Sequence, residues 1–214
     1  MNILKIKLVA VACLASVGLA LAQQPTRDHD TIDDIRKAIL RLPYYGVFDF
    51  LAVQYDKGTA TLSGYVYQPS LAREVIAATR RVPRVDEVVD KIERLPLSQH
   101  DDDIRWRTFT RIYDDSALSR YAAGGGLTRF DRRYHVTRYP GMQPFGNYPI
   151  HIIVNRGRTL LLGIVDSEFD KTLAGVRARE VPGTFGVDNE LVIAGNTVRW
   201  NRRGLPASER RNAE

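Results

Sequence analysis

Asp56-Lys57-Gly58-Thr59-Ala60-Thr61-Leu62-Ser63-Gly64-Tyr65-Val66 is answered 99 residues later by Asn155-Arg156-Gly157-Arg158-Thr159-Leu160-Leu161-Leu162-Gly163-Ile164-Val165. Each stretch opens on a triplet ending in glycine that suits a tight hairpin turn, then continues as an alternating strand. The echo runs on, with Arg80, Val82, Pro83 and Val88 recurring as Arg179, Val181, Pro182 and Val187. The matches fall on turn glycines and alternating apolar positions, where backbone geometry narrows the choice of residue. The chain reads as two copies of one small domain.

Each copy has the order helix, strand, strand, helix, strand. In the first, Thr31 with Asp33 and Asp34 predicts a helix start. Ile32, Ile35, Ile39 and Leu42 form that helix's apolar face, and Pro43 ends it. Leu51, Val53 and Tyr55 alternate along a strand, and Leu62 and Val66 lie along its partner. Pro69 opens a second helix with Leu71, Val75, Ala78 and Val82 on one face. Val85, Val88 and Ile92 then mark a third strand.

In the second copy, Asp102-Asp103-Ile104-Arg105 echoes Asp33-Asp34-Ile35-Arg36 at an offset of 69, so 30 residues are inserted between first helix and first strand. Ile150, Ile152 and Val154 begin the hairpin. The clearest stripe on the second helix is Phe169, Leu173 and Val176, one position out of phase with the first copy. The expected fold class is α+β: two small αββαβ sandwich domains, each a three-stranded sheet with two helices on one face. They span 31–97 and 102–194, with an insert at 116–148 and a basic tail at 195–214.

Lys5 and Lys7, the apolar run Leu8 to Leu21 and the Ala20-Leu21-Ala22 site make residues 1–22 read as a cleavable secretory signal, with the periplasm as expected destination. The only cysteine, Cys13, lies inside it. The mature chain then has no disulfide, thiol nucleophile or thiolate metal site. His29, His100, His135 and His151 lack zinc spacing, Gly124-Gly125-Gly126 lacks the lysine of a phosphate loop, and no serine sits in a nucleophile elbow. No catalytic residue, metal site or cofactor is expected, and the chain reads as a non-enzyme.

The turn-plus-strand DKGTATLSGYV, the helix running into VPRVDEVVDKI and the αββαβ order resemble the BON domain, named for bacterial osmotically inducible periplasmic and nodulation proteins. NRGRTLLLGIVDSEFDKTLAGVRAREVPGTFGVDNEL is similar to the same module. The resemblance implies a small α/β sandwich, an envelope location and a role in binding phospholipid or other envelope components. Pro83-Arg84 departs from it where a small residue or glycine is usual; Pro182-Gly183 fits.

The copies differ in two ways. Opposite its core side, the first hairpin carries Gln54, Thr61, Ser63 and Tyr65, a solvated face. The second carries Ile153, Leu160, Leu162 and Ile164, which need a cover. The insert, the first domain, another protomer or an external lipid could each supply it. Charge is also uneven. Residues 30–97 hold ten acids and ten bases, whereas 116–148 carry a net +4 and 195–214 a net +3. Arg129, Arg132, Arg133, Tyr134, Arg138 and Tyr139 interleave arginine with aromatics, a pattern suited to an anionic headgroup layer. An exported protein seldom meets nucleic acid, so none is expected as a partner. The leading expectation is a periplasmic protein associating with an anionic phospholipid surface. The alternative is an interaction module that docks an envelope protein, or a second copy of the chain, through Ile153, Leu160, Leu162 and Ile164.

Overall fold

The computed structural model describes residues 24–122 and 143–195. Each half forms a three-stranded sheet backed by two helices. The first half comprises α1 (Gln24–Leu40), β1 (Phe50–Asp56), β2 (Thr59–Val66), α2 (Pro69–Thr79) and β3 (Glu87–Arg94). The second comprises α3 (Gln99–Tyr113), a 3-10 turn (Ser119–Tyr121), β4 (Ile150–Asn155), β5 (Arg158–Val165), α4 (Glu168–Arg179) and β6 (Gly186–Ile193). The strand orders are β1-β2-β3 and β4-β5-β6, with an antiparallel hairpin followed by a parallel third strand in both.

The repeated residues act through the backbone. Asp56 pairs with Thr59 and Asn155 with Arg158, so each hairpin closes on two residues, both at positive φ: Lys57 and Gly58, Arg156 and Gly157. Those are the dihedrals a type I′ turn requires. Gly64 and Gly163 sit at φ 117° and 128° inside their strands. A Cβ would stand 2.1 Å from the Phe50 carbonyl oxygen at Gly64 and 1.9 Å from the Pro149 carbonyl oxygen at Gly163. Close backbone approach, rather than the turn alone, demands these glycines.

Three readings are corrected. α1 begins at Gln24, so Thr31 lies inside the helix, fully buried, and accepts a hydrogen bond from Arg84 Nε at 2.8 Å. Its hydroxyl anchors another element instead of capping its own. The α4 stripe is also different. Phe169 and Val176 are exposed, while Asp170, Ala174 and Ala178 are buried, as are Leu71, Val75 and Thr79 at the equivalent positions of α2. The two helices therefore use the same face at the repeat offset. Asp170 hid that register because its carboxylate is buried under Ser167 Oγ (2.6 Å), Tyr121 Oη (3.0 Å) and Arg120 Nη2 (2.6 Å).

The third correction concerns the first hairpin's outer face. Phe50 and Ala52 lie on it, paired with Tyr65 and Ser63, and they are buried against Leu95 and the second domain's Ile153 and Leu162. The two sheets meet through these faces, so that each domain covers the other. The layers run helices, sheet, sheet, helices. The described ends of the 116–148 insert pack elsewhere: Leu118, Tyr121 and Tyr148 join the core between the second sheet and its helices.

Candidate functional site

Residues 45–49, between α1 and β1, lie outside helix and strand yet are all buried. Buried backbone must find partners, and here they come largely from the second domain. Val47 N–H donates to the Pro144 carbonyl (3.1 Å), and Phe48 N–H to Gln143 Oε1 (2.9 Å). Gly146 N–H donates to the Tyr45 carbonyl (3.0 Å), and Ile152 N–H to that of Val47 (2.8 Å). The segment thus lies along the free edge of β4. Tyr113 Oη and Arg105 Nη2 cap the Ile150 and Val154 carbonyls on the same strand. Phe48 enters the second core, with ring centroids 5.6 Å from Trp106 and 5.8 Å from Tyr67.

Asp49 organises the junction. Its Oδ1 accepts Tyr67 N–H at 2.7 Å, and its Oδ2 accepts Gly46 N–H at 3.0 Å and Gln143 Nε2 at 2.6 Å. Gln143 Nε2 also donates to the Tyr44 carbonyl at 3.1 Å. Burial pushes Asp49 up to about 7, against the pull of its three donors and of the Arg105 guanidinium. Arg105, fully buried, bonds Asp102 and lies 4.8 Å over the Tyr67 ring. His151, between Tyr45 and Phe50 at ring distances of 5.8 and 5.4 Å, is driven by burial down to about 4 and is neutral at neutral pH.

Beside this junction the domains leave a groove of ≈ 430 Å³, walled by the end of α1, by β1 and by residues 147–149, with His151, Gly163 and Ile164. Its wall includes Leu40 and Ile164, which are 46% and 52% exposed. Tyr44 and Phe145, 47% and 41% exposed, stack edge-on at 5.9 Å next in chain to the groove's Tyr45 and close to its Asn147. Two of the large apolar side chains left open thus line the groove, and two more pair with each other next to its lining residues in the chain.

The sequence-derived candidates divide. Arg129, Arg132, Arg133, Tyr134, Arg138 and Tyr139 lie outside the described residues. Ile153 and Leu162 are buried against the first domain and Leu160 is half-buried there, which leaves Ile164 as the open member of the docking face. Asp49, Gln143 and Arg105 were missed because their partners come from the other half of the chain. The signal that could have pointed to Phe50 and Ala52 was their period-2 phase with Gln54. Among the described residues no cluster of His, Cys, Asp and Glu could hold a metal, and no helix is long and apolar enough to cross a membrane.

Two small α+β modules joined through their sheets define the class of protein. The BON domain family model matches residues 27–96 and 140–195, more than half of the chain, and the chain belongs to that family. α3 falls outside the matched residues, although it packs on β4 as α1 packs on β1. Two structures of CdsD, a structural protein of the type III secretion system of Chlamydia trachomatis, one of them described as its C-terminal domain, are similar at 13% and 14% identity. Each covers 77% of this chain, with 97% and 92% of the other chain matched, at a TM-score of 0.25. No curated protein matches the chain.

Proposed function

We propose that the protein is a non-enzymatic module of the bacterial envelope that associates with anionic phospholipid surfaces. The observation that carries this reading is the exposure of Leu40 and Ile164 in the groove wall and of the Tyr44–Phe145 ring pair, which neighbours groove residues Tyr45 and Asn147 in the chain. Exposed Arg36, Lys37 and Arg41 stand on or just after the adjoining end of α1. Aromatic and aliphatic side chains ringed by bases suit the boundary between headgroups and acyl chains. Arg129, Arg132, Arg133, Tyr134, Arg138 and Tyr139 precede in sequence Gln143, whose side chain bonds Asp49 and Phe48. Each basic residue near an anionic surface contributes about 1 kcal/mol, so several give reversible binding. Docking of a protein through the second sheet face loses support, because Ile153 and Leu162 already cover the first domain.

Co-sedimentation with phosphatidylglycerol-containing vesicles across a salt series tests the reading. Binding at low salt that weakens as salt rises, and that fails when Arg129, Arg132, Arg133 and Arg138 are all changed to Glu, is the expected result. Absence of binding at low salt overturns it.

A further inference from the structure

We propose that the interdomain groove holds one acyl chain of an anionic monoacyl lipid, with its headgroup at Arg36. The proposal deepens the membrane reading and rests on it for the source of the ligand. The groove's ≈ 430 Å³ lies within the roughly 300–1,000 Å³ of small-molecule sites. Its wall is apolar where it is deepest in the fold, with Ile39, Phe50 and Ala52 all buried.

Charge selects the occupant. Among the described lining residues Arg36 is the one formally charged group, and no carboxylate faces the groove. Arg36 is held only by an exposed, 3.4 Å contact to Asp33, so its guanidinium can turn to a phosphate or carboxylate. His151 also lines the groove, 7% exposed, and burial holds it neutral, so it adds no charge to the wall. Protein partners would need a far wider surface than this cleft presents.

The test uses the chain from Gln23 onward and lysophosphatidylglycerol below its micellar threshold, read by titration calorimetry and native mass spectrometry. One-to-one binding is expected. Ile164→Trp, which fills the groove from an exposed position, and Arg36→Glu should each weaken it by roughly tenfold or more. Thermal unfolding of both variants confirms that the fold is kept. No one-to-one complex, or equal affinity in Ile164→Trp, overturns the proposal. So does Ile164-dependent dimerisation in light scattering without lipid binding, which would assign the groove to a second copy of the chain. Vesicle co-sedimentation is scored separately: lysolipid binding without vesicle binding supports the groove and refutes the membrane reading.

Discussion

The Asp49 carboxylate accepts the Gln143 side-chain amide at 2.6 Å, across the junction of two domains whose residues are 94 apart in sequence. Both side chains are buried, and both also satisfy backbone groups of residues 44–48 or Tyr67. Asp49→Ala strands three donors in the interior. A loss of roughly 3–5 kcal/mol in urea unfolding is expected. Wild-type stability in that variant would mean that the junction opens freely in solution.

Asp49 and His151 titrate in opposite senses. Asp49 is raised from 3.8 to about 7 in the folded state, so it binds its proton more readily than the unfolded chain does. Its contribution is present at low pH and is lost as pH rises from about 4 to about 7. His151 is lowered from 6.5 to about 4, so its contribution is full above about 6.5 and lost as pH falls towards 4. Between those values the two slopes, each about 1.4 kcal/mol per pH unit, offset one another. Asp49→Asn should expose a stability that rises with pH from 4 to 6.5, and His151→Phe one that falls. Parallel pH profiles in the two variants would refute the assignment.

Gly64→Ala and Gly163→Ala should each cost roughly 2–4 kcal/mol, since a methyl at either site meets a carbonyl oxygen well inside contact distance. Differential scanning calorimetry of both variants reads the loss, and a fall in one copy alone would break the equivalence of the repeats.

Arg84 adopts φ 72° where the second copy has Gly183 at 90°, and it is retained by its bond to Thr31. Arg84→Ala keeps the backbone strain and removes the bond, whereas Arg84→Gly removes both. The glycine variant should therefore be the more stable of the two by about 1 kcal/mol. Equal stabilities would show that the backbone at this position is unstrained.

The repeat was legible because glycines and alternating strand residues report on the backbone they build. Gly58, Gly64, Gly157 and Gly163 announced turn and strand before any contact was known. The α4 face was not legible, because its burial rests on an acid, Asp170, whose desolvation is offset by hydrogen bonds from Ser167, Tyr121 and Arg120 that hold it below the usual carboxylate range. Periodicity of apolar residues cannot find such a face. The cover of Ile153 and Leu162 was one of several open choices. Phe50 and Ala52 decide it, through a pairing of faces that no local pattern encodes. The basic aromatic segment was conspicuous in sequence, while the groove beside Gln143 arises only when both domains are assembled.

In the proposed function the face bearing Tyr44 and Phe145, rather than any other exposed apolar site, meets the membrane. Phe185, 72% exposed, is the natural control: it sits beyond the β4–β5 turn, with its ring against Gly157. The chain from Gln23 onward holds no cysteine, so Phe145→Cys and Phe185→Cys can each carry one environment-sensitive fluorophore. On addition of phosphatidylglycerol vesicles at low salt, the label at 145 should shift to the blue and become accessible to lipid-borne quenchers, while the label at 185 stays in water. Equal responses at both positions, or a response at 185 alone, would contradict the account.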